Sequence, residues 1–349
     1  MRFAFTEEQL AFRDATRAML ARICPATAVR TAWDPASSGR DPARWKVLAD
    51  AGIVGLLVDE AQGGLGRRVI DLVLLIEEAG RAALPEPLVE TALVAAPLLA
   101  ATGSPTANEW LARIVSGDAT ITTSLDGEPL VADAHVADRI IVQARDTMLL
   151  VDPRECSVVH QPTVDGARRI FTLGSDPRGL ALTPGDPARG LAARAFDHGA
   201  LGVAAMQLGL AARMIDLAVA HVSTREQFGQ PVGSFQAVKH HLADALLALE
   251  LARPLVYRAA CSLSHDRVHA ALHVSMARAR ADQAAGIAAR KSLQCHGAIG
   301  YSFEYDLHLF MKRSWALSSA FGTTSFHRDR VGVVCLDGDS PPPDPFGEP

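Results

Sequence analysis

The sequence predicts a mainly α-helical protein with one small β domain set into its middle. Three observations carry that expectation. Aromatic residues make up only 5% of the 349 residues, while alanine crowds segments such as "LVAAPLLAATG" and "HVSMARARADQAAGIAARKS", a composition that suits close-packed helices better than a sheet-rich sandwich. Hydrophobic residues reach 49%, enough for a substantial buried core. Between about Asp118 and Phe196, helical patterning gives way to short β-type runs separated by Asp, Gly and Pro. The expected organisation is an N-terminal helical domain over 1–117, a middle β domain over 118–196, a C-terminal helical region over 197–335 and a disordered tail over 336–349.

The elements follow in order. "TEEQLAFRDATRAMLARI" opens the first helix, with Thr6 as N-cap and Gln9 three residues on completing a capping box. "DPARWKVLADAG" starts at Asp41 with Pro42 behind it and stops at Gly52. "DEAQGGLGRRVID" lacks the G-x-G-x-x-G spacing and no βαβ unit surrounds it, so it predicts a Gly-rich turn and not a dinucleotide loop. The runs "ATITTSL", "RIIVQA", "TMLLVD" and "ARRIFTL" supply the strands of the middle domain. Long helices return from Asp197 to about Val334. Within them His265, His269 and His273 recur every fourth residue and are expected on one helix face, as a subunit contact or a solvated stripe, because no carboxylate joins them to hold a metal. "DGDSPPPDPFGEP" is too rich in Pro, Gly and Asp to be more than a tail.

Composition excludes several classes of function. The net charge of −5 arises from interspersed charges of both signs, with no basic run to neutralise a nucleic-acid backbone. Five cysteines, odd in number, far apart and without C-x-x-C spacing, read as reduced thiols of a cytoplasmic protein. The start of the sequence has no apolar signal region, and the longest apolar runs, near 92–101 and 200–212, fall short of the roughly 20 residues that span a bilayer. A soluble protein with no membrane and no nucleic-acid partner is expected.

Two segments in the last third hold the parts for gripping a flat, phosphorylated cofactor. "HVSTREQFGQPVGSFQAVKHHLADALLALE" (221–250) and "LQCHGAIGYSFEYDLHLFMKRS" (293–314) each join a helix end to a turn and a new helix. Arg225 offers charge to a phosphate, Gln227 and Gln294 offer polar contacts, and Phe228 offers an apolar wall. Gly297 and Gly300 let backbone come close to a ligand. Taken alone, Arg-Gln-Phe-Gly also fits a helix C-cap.

The segments R-x-Q-F-G, F-Q-A-V-x-H-x-L-A-D and Q-x-H-G-x-I-G-Y-x-x-E, together with "WKVLADAGIVGLLVDEAQGGLGRRVIDLVLLIEEAGRAALPEPLVETA" (45–92), resemble those of the acyl-CoA dehydrogenase family across nearly the whole chain. The resemblance implies an N-terminal helical domain, a middle β domain and a C-terminal four-helix bundle. It also implies FAD at a subunit interface, an acyl-CoA substrate and an electron-transfer acceptor. In the family's reaction a carboxylate removes the α-proton while the β-hydrogen leaves as hydride, giving a trans-2-enoyl-CoA. Carried over, Arg225 and Gln227 would meet the pyrophosphate and Phe228 would pack on the cofactor, with Phe235, Gln236, Gln294, Gly297 and Gly300 completing that half-pocket for a neighbouring chain.

Two departures from the family pattern stand out. The middle domain is reduced, and in place of a T-E-P-x-x-G-S-D type segment for the flavin ring it offers only Thr122, Thr123, Ser124 and a displaced Glu128-Pro129. The family's commonest catalytic Glu, counted without a gap from Gln294, falls on Phe321, with Gly322, Thr323 and Arg328 matching the residues that follow. The alternative Glu position, counted back from Arg225, falls on Gly199, and the adjacent substrate-binding Arg position holds Ala200. Loss of a positioned base forfeits about 10²–10⁴-fold in rate. The chain is therefore expected to resemble the short, base-lacking subunits of actinobacterial heterotetrameric acyl-CoA dehydrogenases of steroid side-chain breakdown, an α2β2 assembly in which a sister chain carries the Glu. Other readings are a fatty-acid in place of a steroid substrate class, a homo-oligomeric dehydrogenase that uses Asp197 or His198 as base, a non-catalytic protein that binds acyl-CoA or FAD, or a purely structural helical partner.

Overall fold

The computed structural model describes residues 4–126, 130–174, 177–184, 186–265 and 268–336. The N-terminal region carries α1 (Glu7–Ile23), α2 (Ala26–Trp33), α3 (Pro42–Asp50), α4 (Val69–Arg81), α5 (Ala96–Thr102) and α6 (Pro105–Val115). Thr6 caps α1 in the expected capping box with Gln9. Asp41 caps α3, Pro42 fills its first turn, and Gly52 at φ +75° ends the segment. The Gly-rich stretch is a turn: Gly63 is left-handed at φ +89°, and a Cβ on Gly64 would lie 2.1 Å from the Val58 carbonyl oxygen.

Among the described residues, the middle region forms two sheets from β1 (Ile121–Ser124), β2 (Val131–Ala132), β3 (Arg139–Ala144), β4 (Thr147–Val151), β5 (Val158–Gln161), β6 (Ile170–Leu173) and β7 (Leu180–Pro184). One sheet has the order β1-β3-β4-β7, with β1 and β3 parallel in the register Thr123 to Ile141; the other has the order β2-β6-β5. The four sequence-read runs correspond to β1, β3, β4 and β6. The strands β2, β5 and β7 escaped the reading.

The C-terminal region comprises α7 (Asp186–Thr224), the two-residue strands β8 (Glu226–Gln227) and β9 (Gln230–Pro231), α8 (Gln236–Ser264), α9 (Ala270–His296), α10 (Leu307–Leu317) and α11 (Thr324–Cys335). The helix starts at Asp186, ahead of the Asp197 read from the sequence. Ala188, Ala192, Ala195 and Phe196 are buried at helical spacing and draw that stretch into the core. Helices α7, α8, α9 and α10 pack as a bundle, with α11 on α9. α7 is long and apolar enough to cross a membrane by length and composition, yet 72% of its apolar window is buried inside the protein. It crosses α4 closely: Cβ atoms on Gly80 and Gly209 would fall 2.2 Å from Met206 O and 1.9 Å from Glu77 O.

The histidine stripe is corrected by the turn between α8 and α9. His265 follows α8, His269 precedes α9 and His273 lies buried inside α9, so the three share no single helix face. Among the described residues no cluster of metal-ligating side chains occurs. All five cysteines are free. Of the tail, only Leu336 is among the described residues.

Candidate functional site

The Arg-Gln-Phe-Gly segment is a tight hairpin at the end of α7. Arg225 N–H donates to His221 O (2.9 Å), and Arg225 O accepts from Val232 N–H (2.8 Å), closing the loop. Gln227 pairs with Gln230 across a two-residue turn in which Phe228 (φ +56°) and Gly229 (φ +77°) are both left-handed, the pattern of a type I′ turn. Glycine accepts that conformation readily. For Phe228 it costs about 1 kcal/mol or more, and the ring is in addition 91% exposed. Among the described residues its one aromatic neighbour is Phe235, edge-on at 6.1 Å, which itself caps α8 just before Gln236.

The second segment meets the hairpin. α9 ends at His296, and Gly297 turns the chain at φ +64°, ψ −142°, a region open essentially to glycine alone. A Cβ there would touch nothing, so the requirement is conformational. Arg225, Gln227, Gln294 and Gly297 line one cavity of about 360 Å³. Phe228, Phe235 and Gln236 stand outside its lining, and Gly300 is buried under Leu293, where a Cβ would come within 2.8 Å of Cδ1. The sequence reading assigned no role to His221, His241, Cys295 or His296, which help build the wall of this cavity, although His296 stands inside the Q-x-H-G motif. Nothing in the R-x-Q-F-G motif points one turn back to His221, although i and i−4 share a helix face.

The His221 and His296 rings stack at 4.7 Å, and Tyr305 packs on His296 at 4.8 Å. His296 Nδ1–H donates to Ser292 O (2.7 Å). Burial lowers the pKa of both histidines, and the Arg225 cation adds to the effect on His221. The stacked His221 and His296 rings are therefore neutral near pH 7, and Arg225 brings a cation to the cavity. That guanidinium is exposed and has no ion pair among the described residues. A free cation, two amides and a turn without side chain suit a diphosphate.

Phe321 and Gly199, where the sequence count places the family's two alternative bases, lie far apart in sequence and touch in space. Phe321 sits in the turn between α10 and α11 at φ +49°, with 3% of its surface exposed. A Cβ on Gly199 would stand 2.3 Å from Phe321 Cδ1 and Cε1, so the ring fills the volume a side chain at 199 would need. Phe196 packs edge-on against the same ring at 6.0 Å. The turn is held firmly: the fully buried Arg278 donates to the carbonyls of Leu317 (2.8 Å), Ser318 (3.0 Å) and Ala320 (3.2 Å). His327 Nε2–H donates to Phe321 O (2.8 Å), and burial pushes the His327 pKa down to about 4, so the ring is neutral. Ala200 is buried as well.

Neighbouring polar groups are engaged elsewhere. The Asp197 carboxylate accepts from Arg330 Nη1 (2.8 Å), and burial raises its pKa. His198 Nδ1–H donates to Leu93 O (3.1 Å). In β1, Thr122 and Thr123 are buried and Ser124 half-buried, so the threonine hydroxyls present no open surface to a ring. Glu128 and Pro129 lie outside the described residues.

Residues 6–118 match the family model for the acyl-CoA dehydrogenase N-terminal domain, and residues 189–335 match that for the C-terminal domain. The acyl-CoA dehydrogenase IpdE2 of Mycolicibacterium smegmatis is 33% identical over 320 residues, covering 91% of this chain and 95% of that protein. Among solved structures, the Tcur3481–Tcur3483 steroid ACAD aligns with a TM-score of 0.84 at 26% identity, covering 93% of this chain and 97% of the other. The ChsE4–ChsE5 complex of Mycobacterium tuberculosis aligns with a TM-score of 0.87 at 24% identity, covering 97% and 100%, a likeness of fold.

Proposed function

The chain belongs to the acyl-CoA dehydrogenase family, and we propose that within it this protein is the base-lacking subunit of a heteromeric enzyme, lending its half-pocket to a sister chain that carries the catalytic Glu. One observation carries the proposal: the buried Phe321 ring also fills the space beside Gly199, so one side chain takes up both places where the sequence count would put the family's base. Neither Phe321 nor Gly199 has a side chain that can accept the α-proton of an acyl thioester. The half-pocket around Arg225, by contrast, is open.

FAD is the family's cofactor and, when bound, supplies the hydride acceptor. Toward it, Arg225 would hold the diphosphate by charge-assisted hydrogen bonds, Gln227 and Gln294 would orient it through their amides, and Gly297 would admit it without a steric wall. Phe228 offers an exposed aromatic face that a cofactor or partner would cover. The proton step, the flavin-ring contacts and the hand-over to an electron-transfer acceptor would belong to the sister chain of an α2β2 complex. The likeness to a steroid ACAD at 26% identity supports a steroid-derived acyl-CoA as the substrate class. A base role for Asp197 or His198 is less well supported, because Asp197 is tied to Arg330 and His198 to a main-chain carbonyl.

The test is co-expression with a Glu-bearing sister chain. The pair should purify together and yellow, at about one FAD per two chains, while this chain alone should be colourless or poorly soluble with its apolar surface uncovered. A stable yellow homo-oligomer with one FAD per chain would refute the proposal.

A further inference from the structure

α2 reaches the cofactor half-pocket through one side chain. Arg30, near the end of α2, donates from Nη1 to Phe303 O (2.5 Å) and from Nη2 to Glu304 O (3.3 Å). Its Nε and Nη2 both donate to Asp306 Oδ1 (3.1 and 2.7 Å). Beside it the Lys312 ammonium lies 4.0 Å from the Phe303 ring centroid and 5.1 Å from that of Trp33, the last residue of α2. His308 packs between the same two rings, at 4.9 and 5.2 Å. The backbone bonds of the segment are local by comparison: Ser302 N–H donates to Ile299 O and Tyr305 N–H to Ser302 O. Its placement against the rest of the molecule thus depends strongly on Arg30 and the ring cluster.

That placement matters at the cavity. Tyr305 packs on His296 at 4.8 Å and on His221 at 6.0 Å, and these two rings form the wall behind Arg225 and Gly297. A continuous run of contacts therefore leads from α2 through residues 303–306 to the half-pocket.

We propose that Arg30 is a positioning residue for the diphosphate-binding half-pocket: it touches no ligand, and by clamping residues 303–306 it sets the Tyr305–His296–His221 wall against which Arg225 and Gly297 present themselves. An arginine suits the task because a planar fork binds two carbonyls and a carboxylate together, which an ammonium cannot do with the same geometry.

The inference rests on the FAD reading of the half-pocket, and the experiment separates the two. In the complex with the sister chain, FAD affinity is measured by flavin fluorescence for the wild type, Arg30→Met, Arg30→Lys and Arg225→Ala, and amide exchange is followed by mass spectrometry after FAD has been stripped. Arg30→Met should weaken FAD binding by about tenfold, the low end of what outer-shell partners contribute at metal sites, and should speed exchange locally across 297–306. Arg30→Lys should recover part of the affinity. Should Arg30→Met fail to assemble, Asp306→Asn weakens the same clamp and is read in the same way. If Arg225→Ala weakens FAD binding while the clamp variants leave affinity and exchange unchanged, or change exchange throughout the chain, the positioning role is refuted and the half-pocket reading stands. If no variant alters affinity, the half-pocket reading falls and the positioning role with it.

Discussion

Replacing Gly199 by alanine should reverse the sign of its effect on stability according to what stands at position 321. In a helix interior the change normally stabilises by about 1 kcal/mol. Here the new Cβ would stand 2.3 Å from two carbons of the Phe321 ring and 2.6 Å from a third, where relaxed carbon contacts need about 3.5–4.0 Å. The ring must retreat by about 1 Å or more, but Phe196 stands against it and Arg278 and His327 fix the turn that carries it. Overpacking of that severity costs toward the top of the usual range of about 1–3 kcal/mol, so Gly199→Ala should destabilise by about 1–2 kcal/mol net. Phe321→Ala should itself cost about 3–5 kcal/mol, the value for emptying a buried aromatic site. With the ring gone, Gly199→Ala should turn stabilising by about 1 kcal/mol, a coupling of about 2–3 kcal/mol between two positions that also lie in contact. Denaturant midpoints of the four proteins, compared at equal concentration, measure it. Equal stabilisation by Gly199→Ala in both backgrounds would refute the interlock, and with it the claim that one ring closes both base positions.

Other outcomes follow from the same contacts. Arg225→Ala should weaken FAD retention in the complex by an amount set by charge-assisted hydrogen bonds of about 1.5–3 kcal/mol each, with Arg225→Lys restoring charge but not the fork; unchanged affinity in equilibrium titration would make Arg225 a mere helix-end residue. Burial holds the His327 pKa at about 4, against about 6.5 in the unfolded chain, so unfolding takes up a proton between those values. Stability is then fully present above about pH 6.5 and falls by about 3 kcal/mol as pH drops toward 4; melting curves of His327→Gln should lose that part of the acid sensitivity, and an unaltered profile would contradict it. Phe321→Glu should not create a second active site, because the buried carboxyl would take up a proton and Ala200 supplies no cation. Flavin bleaching by an acyl-CoA in a complex whose sister chain has its Glu changed to Gln tests this, and bleaching that depends on the Phe321→Glu substitution, or on Asp197 or His198, would count against the partner role.

Much of the architecture was legible because local signals agreed with the fold. The Thr6–Gln9 capping box, the Asp41–Pro42 start and the Gly52 stop are encoded within four or five residues, and each appears where the sequence places it. The start of α7 was not legible, since "ARGLAARAF" is decided by what covers it, and Ala188, Ala192 and Ala195 become informative only once the core is assembled. The histidines at 265, 269 and 273 gave a perfect helical period that a turn interrupts. In the candidate site, Arg225, Gln227, Gln294 and Gly297 were readable from motif chemistry, whereas the stacked wall of His221 and His296 depends on two helix ends meeting. The contact between Gly199 and Phe321 was beyond reach for the same reason: the sequence supplies two separate absences of a carboxylate, and only the packing of α7 against the α10–α11 turn makes them one feature.

Two phenylalanines held at positive φ bracket the functional argument. Phe228 (φ +56°) and Phe321 (φ +49°) each carry a backbone penalty that glycine would avoid. Phe321 has a compensation within the chain, because its ring is almost wholly buried and its turn is clamped by Arg278 and His327. At Phe228 the compensation is the hairpin's backbone pairing and not its ring, since 91% of its surface is exposed and it meets Phe235 only edge-on. A folded chain left to itself would gain by relaxing Phe228 or replacing it with a polar residue. Covering by something outside the chain would remove the exposure of the ring, which sits beside an arginine with no counter-ion among the described residues and a turn without a side chain. On the proposed function the closed position at 321 and the open one at 228 have one reason: the place that would do chemistry is sealed, and the place that would serve another chain is exposed.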